Sequence, residues 1–220
     1  MIPLVAGVIA SSYVAPVINI LVSGYSSQAI PSNNFTMSLP ANVAGDTALL
    51  ITTRNGNAGN TLPGGWTSRY YNYTGANGET AIYSKAITSP LASVTISGSA
   101  SGTLAGVAYA IILKNVHAAF TSQAITASMG GSNNTVVTPG IGSYGETGRM
   151  MMRMATINQN TSLTPAGPFD TELGVVNTAV NPRALNITTE LVDASAQSGM
   201  NFTSGAAGFW RGIIVPIRKI

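Results

Sequence analysis

The chain has 220 residues, of which 45% are hydrophobic and only 8% charged, with a net charge of +3, a single histidine and no cysteine. That balance excludes a disordered chain, which combines low hydrophobicity with high charge, and it excludes a disulfide framework, a thiolate zinc site and a cysteine nucleophile. The ten basic residues are scattered, with only Arg218-Lys219 and Arg149/Arg153 close together, so no dense basic stripe offers a nucleic-acid groove.

The chain opens on an uncharged run from Met1 to Val22; its first charged residue is Asp46. A secretory signal needs a basic flank, and no Lys or Arg precedes the run. A membrane-spanning helix needs about 20 uninterrupted apolar residues, and Pro3, Ser11, Ser12, Pro16 and Asn19 interrupt this one. The reading favoured is an extended arm over residues 1–16 that docks on a neighbouring protein. Ile2, Pro3, Leu4, Val5, Val8 and Ile9 are its contact residues.

After the arm, short apolar runs alternate with Gly, Pro and Asn turns, the signature of strands. Gly45-Asp46-Thr47 leads into a strand over Ala48–Thr53. A polar loop then reaches Leu62-Pro63-Gly64-Gly65-Trp66-Thr67. Further strands follow over Ala81–Ala86, Val94–Ser97 and Val107–Lys114, the last nearly all apolar, as for a strand covered on both faces. The second half repeats the order: Gly145-Glu146-Thr147, a strand over Met150–Ala155, and a loop to Thr164-Pro165-Ala166-Gly167-Pro168-Phe169. Strands over Ala184–Thr188, Met200–Thr203 and Trp210–Arg218 close it. The spacings agree: Trp66 to Ile82 and Phe169 to Leu185 are both 16 positions, while Ile82 to Lys114 is 32 and Leu185 to Arg218 is 33. The expected fold is all-β, an antiparallel, jelly-roll-like β-sandwich over residues 17–220, built from repeated halves at 45–114 and 145–218.

The residues Gly45-Asp46-Thr47-Ala48-Leu49-Leu50-Ile51, Pro63-Gly64-Gly65-Trp66-Thr67 and Gly212-Ile213-Ile214-Val215-Pro216-Ile217 resemble a β-sandwich domain common in bacteriophage virion proteins, those of tails and fibres especially. The second copy departs from the pattern, with Phe169 in place of the Trp and Pro168 breaking the Gly-Gly. The resemblance implies a virion location, other virion proteins of the baseplate, tail or capsid as partners, and a homo-oligomer, a trimer being one arrangement.

Candidates for chemistry are few. His117 follows an apolar strand and has no sequence partner for a zinc site or a catalytic triad, so it reads as a turn residue. Asp170/Glu172 and Glu190/Asp193 are the close carboxylate pairs a hydrolase would draw on. Asp46, Glu146 and Asp170, however, sit at turns, where such side chains bond nearby backbone N–H groups. No metal site, cofactor site or phosphate-binding loop is proposed by any motif. Tyr70, Tyr71 and Tyr73, mixed with Arg69, Asn72 and Asn77, form the candidate binding surface, because tyrosine and amides suit adaptable contacts and sugar faces. Alternation puts Tyr71 on one face of a strand and its neighbours on the other. Trp66 reads as core. The expectation is a non-enzymatic virion structural protein on the particle surface, a tail appendage, fibre or baseplate component anchored by its arm. Capsid decoration is the alternative and a carbohydrate-binding module the second alternative, with a host-surface glycan as ligand.

Overall fold

The computed structural model describes residues 19–75, 78–98, 104–121, 123–143, 149–179, 182–192 and 195–220. The arm residues Ile2, Pro3, Leu4, Val5, Val8 and Ile9 lie outside the described residues, as do Asn77, Glu146 and Asp193. The protein is all-β, and every strand pairing is antiparallel.

The first large sheet is ordered β1 (Leu21–Ile30), β8 (Gly106–Lys114), β3 (Thr47–Arg54), β6 (Gly78–Ala86), β5 (Thr67–Thr74). The second is ordered β10 (Thr126–Val137), β15 (Asn201–Lys219), β11 (Arg149–Ile157), β14 (Arg183–Val192), β13 (Thr171–Thr178). Two further strands, β9 (Val116–Thr121) and β12 (Leu163–Ala166), also pair with β15. A small third sheet is ordered β2 (Phe35–Ser38), β7 (Ser93–Gly98), β4 (Asn60–Thr61).

The two large sheets pack face to face as a sandwich. Alternate residues of the central strands point into the space between them: Leu49 and Ile51 from β3, Tyr109 and Ile111 from β8, Met152 and Met154 from β11, Ile213 and Val215 from β15. The intervening residues of those strands point outward, and they too are buried. Leu50, Tyr83 and Ala108 meet Phe35, Met37, Val94 and Ile96 of the small sheet. Ala155 and Ile157 meet Val136, Leu163 and Phe202, contributed by the end of β10, by β12 and by the start of β15. Three apolar layers therefore stack in succession. Burial on both faces is why β3, β8 and β11 read as continuous apolar runs with no alternation.

This stack is thicker than the two sheets the strand pattern alone predicts, because each large sheet carries a second cover on its outer face. The segments read as separate strands at Met200–Thr203 and Trp210–Arg218 are parts of the single strand β15. Its first residues pair with β12 and its later ones with β11. Trp66 and Phe169 each stand just before an edge strand, β5 and β13. Each is half-buried against an outer layer and takes no part in the central core.

Candidate functional site

The tyrosine cluster lies on β5, an edge strand of the first sheet. A bulge between Ser68 and Tyr70 resets the alternation. Tyr70 consequently turns inward and packs against the central core. Tyr71 and Tyr73 share the outward face and are 45% and 43% exposed. The inward neighbours Asn72 and Thr74 accept hydrogen bonds from Arg211 of the opposite sheet. Arg69 donates from Nε to Ser84 Oγ at 2.6 Å, and its guanidinium lies 5.0 Å from the Phe120 ring centroid. Of the group singled out by composition, only Tyr71 and Tyr73 present a free aromatic surface, roughly 6.5 Å apart along the strand.

The loop beside them is held by a carboxylate that no sequence motif marks. Glu79 is fully buried in β6. Its Oε2 accepts the Ala58 N–H at 2.7 Å and its Oε1 accepts Asn60 Nδ2 at 2.6 Å, which ties residues 58–60 to the sheet. Tyr71 donates its hydroxyl to Asn57 Oδ1 at 2.6 Å, so the exposed ring is oriented by that same loop. Burial holds the Glu79 carboxyl above its ordinary 4.5, opposed by the hydrogen bonds it accepts and by the charge of Arg54. A carboxyl that protonates more readily folded than unfolded stabilises the fold below its unfolded value. That contribution is lost as pH rises through the folded value. A Glu79→Gln variant is therefore expected to lack the Glu79 contribution to the loss of stability as pH rises from the ordinary carboxylate range towards neutrality. Denaturant titrations of both proteins across that range read the difference.

The other acidic groups among the described residues also serve the fold. Asp46 accepts the Val43 N–H at 3.0 Å at the turn before β3. Asp170 Oδ2 accepts the Leu191 N–H, and Glu172 Oε1 accepts Asn186 Nδ2, each at 2.6 Å. Glu190 pairs with the buried Arg153 at 2.6 Å. Each is therefore held by a hydrogen bond or ion pair within the body. His117 accepts the Ala119 N–H at Nδ1, 3.0 Å away, closing a local turn. Among the described residues no group of three or more His, Cys, Asp or Glu side chains stands together as a metal site.

Sequence reading missed the fate of the arginines. Arg54, Arg149, Arg153, Arg183 and Arg211 are all buried. Arg183 donates to the Arg54 carbonyl oxygen and Arg211 to the Gly78 carbonyl oxygen, so side chains of the second sheet close on the backbone of the first. Arg54 itself stacks 5.1 Å from the centroid of the Phe35 ring. No protein-family model, curated sequence or solved structure matches the chain.

Proposed function

We propose that the chain is a non-enzymatic structural protein of a phage particle, a tail appendage, fibre or baseplate component anchored by its apolar N-terminal arm. The observation that carries this reading is the place of the charges. Half of the ten basic residues are buried, and so are Asp46 and Glu79. What faces outward is mainly hydroxyl, amide and glycine, a surface with little charge to keep free copies apart. Such a surface suits a molecule fixed in an assembly. The structural hydrogen bonds of Asp170 and Glu172 support a role without catalysis, and the buried arginines argue against reading the high pI as nucleic-acid affinity.

The body also reads as two copies of one jelly-roll-like unit placed back to back. Each large sheet runs edge strand, closing strand, opening strand, return strand, edge strand, in the same sequence order. Each carries a bulge in its last edge strand, Ser68/Tyr70 in β5 and Glu172/Val175 in β13. Thr53 and Thr156, at matching positions of β3 and β11, meet hydroxyl to hydroxyl at 3.2 Å.

A second reading, glycan binding at the particle surface, is favoured by Tyr71 and Tyr73, both exposed on β5, with Asn57 bonded to the Tyr71 hydroxyl. Many weak sites on one particle gain affinity through avidity. Quantitative mass spectrometry of purified particles, split into head and tail fractions, tests the main reading. Multiple copies in the tail fraction are expected. Copies confined to heads move the protein to capsid decoration, and absence from both fractions contradicts a virion role.

A further inference from the structure

Between the edge strands β1 and β13 the sandwich leaves a groove of about 410 Å³, lined by Ile20, Val22, Met150, Leu173 and Leu191. Its lip residues Leu21 and Tyr25 are 52% and 47% exposed. At the opposite rim a smaller cleft of about 320 Å³ has charged and polar walls, Asp46, Arg69 and His117 among them. There the Phe120 ring of β9 enters the central core and the Arg69 guanidinium covers it. Ile20 enters the same core at the first rim, but it is a smaller side chain, and Leu173 beside it is apolar. Among the described residues Asp170 is the sole charged one lining the groove, and its carboxylate already accepts the Leu191 N–H. The site suits an uncharged apolar segment.

We propose that this groove receives residues 2–9 of a second copy of the chain, so that arms are exchanged between subunits. The inference rests on the assembly reading above and names the contact that would build it. The segment has the required chemistry: Ile2, Leu4, Val5, Val8 and Ile9 are apolar, and no charge precedes Asp46. The described chain also begins beside the groove. The Asn19 carbonyl accepts Asn115 Nδ2 at 2.7 Å, and the Asn115 carbonyl accepts the Ile220 N–H at 3.1 Å, which fixes the entry point at the end of the first sheet. From there β1 itself runs along the groove as its wall. For residues 2–9 to fill the groove of their own chain, the segment ahead of Asn19 must reverse direction beside β1. Reaching a neighbour requires no reversal, and Pro3 and Pro16 favour an extended path. Exchange of an identical element between copies is a low-cost route to a closed oligomer.

The test uses the full chain with benzoylphenylalanine in place of Tyr25, mixed with an isotope-labelled full chain and irradiated. The expected products are mixed-isotope crosslinks joining position 25 of one copy to residues 2–9 of another. Leu21→Asp, on the exposed lip, should cut their yield at least tenfold and shift the solution mass from a multiple of 22.5 kDa to 22.5 kDa, with an unchanged unfolding midpoint. Crosslinks confined to one copy, crosslinks to another part of the neighbour, or oligomers that form without arm crosslinks overturn the proposal. Particle incorporation of the unmodified chain, measured in parallel, reads the virion role independently. Incorporation without arm exchange would remove this inference alone.

Discussion

Arg211→Ala is expected to lower the unfolding free energy by about 3–5 kcal/mol, the range for removing one side of a buried charged hydrogen-bond network. Arg211 is fully buried in β15. It reaches across the central layer to the β5–β6 hairpin. One nitrogen donates to the Asn72 carbonyl at 3.1 Å, and another to Asn72 Oδ1 at 2.8 Å, Thr74 Oγ1 at 3.3 Å and the Gly78 carbonyl at 3.4 Å. Burial lowers its pKa, and the charge of Tyr70 opposes that shift, yet a guanidinium stays charged at neutral pH. Its desolvation is offset by these acceptors. Truncation removes the donor and leaves two backbone carbonyls buried without it, along with a cavity the size of the side chain. Arg211→Met keeps most of the volume and is expected to cost less, because the orphaned carbonyls remain while the cavity does not. Urea unfolding of the three proteins measures both effects.

Gly78→Val is expected to cost at least about 4 kcal/mol, or to prevent folding, because two mechanisms of large destabilisation coincide there. Gly78 has φ +66, a conformation that a β-branched residue adopts only under strain. A methyl group on its Cα would overlap the Arg54 carbonyl oxygen and the Arg183 guanidinium. It would therefore press on the contact by which Arg183 of the second sheet holds the end of β3. Arg183 is itself strained electrostatically, its pKa pushed down to about 10 by burial and by the neighbouring charge of Arg211. Gly75→Ala, in the same hairpin, meets no atom within 4 Å and should stay within about 0.5 kcal/mol of the unmodified protein. Thermal or urea unfolding of the pair separates a local steric effect from a general intolerance of the hairpin.

Strands that are buried on both faces were readable from the sequence, since Leu49–Ile51, Tyr109–Ile112 and Met150–Met152 are apolar without interruption. Strand β10 was not. Its stretch Gly130-Gly131-Ser132-Asn133-Asn134 has the composition of a loop and is held to β15 largely through the backbone, with register shifts at Gly130/Asn133 and Asn133/Thr135. Gly205 and Gly208 similarly hid the continuity of β15. In the candidate site, the tyrosines announced themselves by composition, but the bulge after Ser68 decided which of them face outward. A bulge leaves no mark in hydrophobic periodicity. Glu79 was hidden for a different reason. Its partners Ala58 and Asn60 lie about twenty positions earlier, and only the β3–β6 pairing brings that loop over it. The buried arginines could not be anticipated by pattern either: Arg153 interrupts a methionine run and is held by Glu190 on the neighbouring strand β14, while Arg211 follows Trp210 and is held by acceptors on the opposite sheet.

The most direct test of an arm-anchored assembly protein is to remove residues 1–16 and count copies per purified particle beside the unmodified chain. The account predicts that the truncated protein keeps its cooperative unfolding transition, because Asn19 onward supplies all three apolar layers, and that it is missing from particles. Truncated protein present at normal occupancy would contradict the anchoring role of the arm.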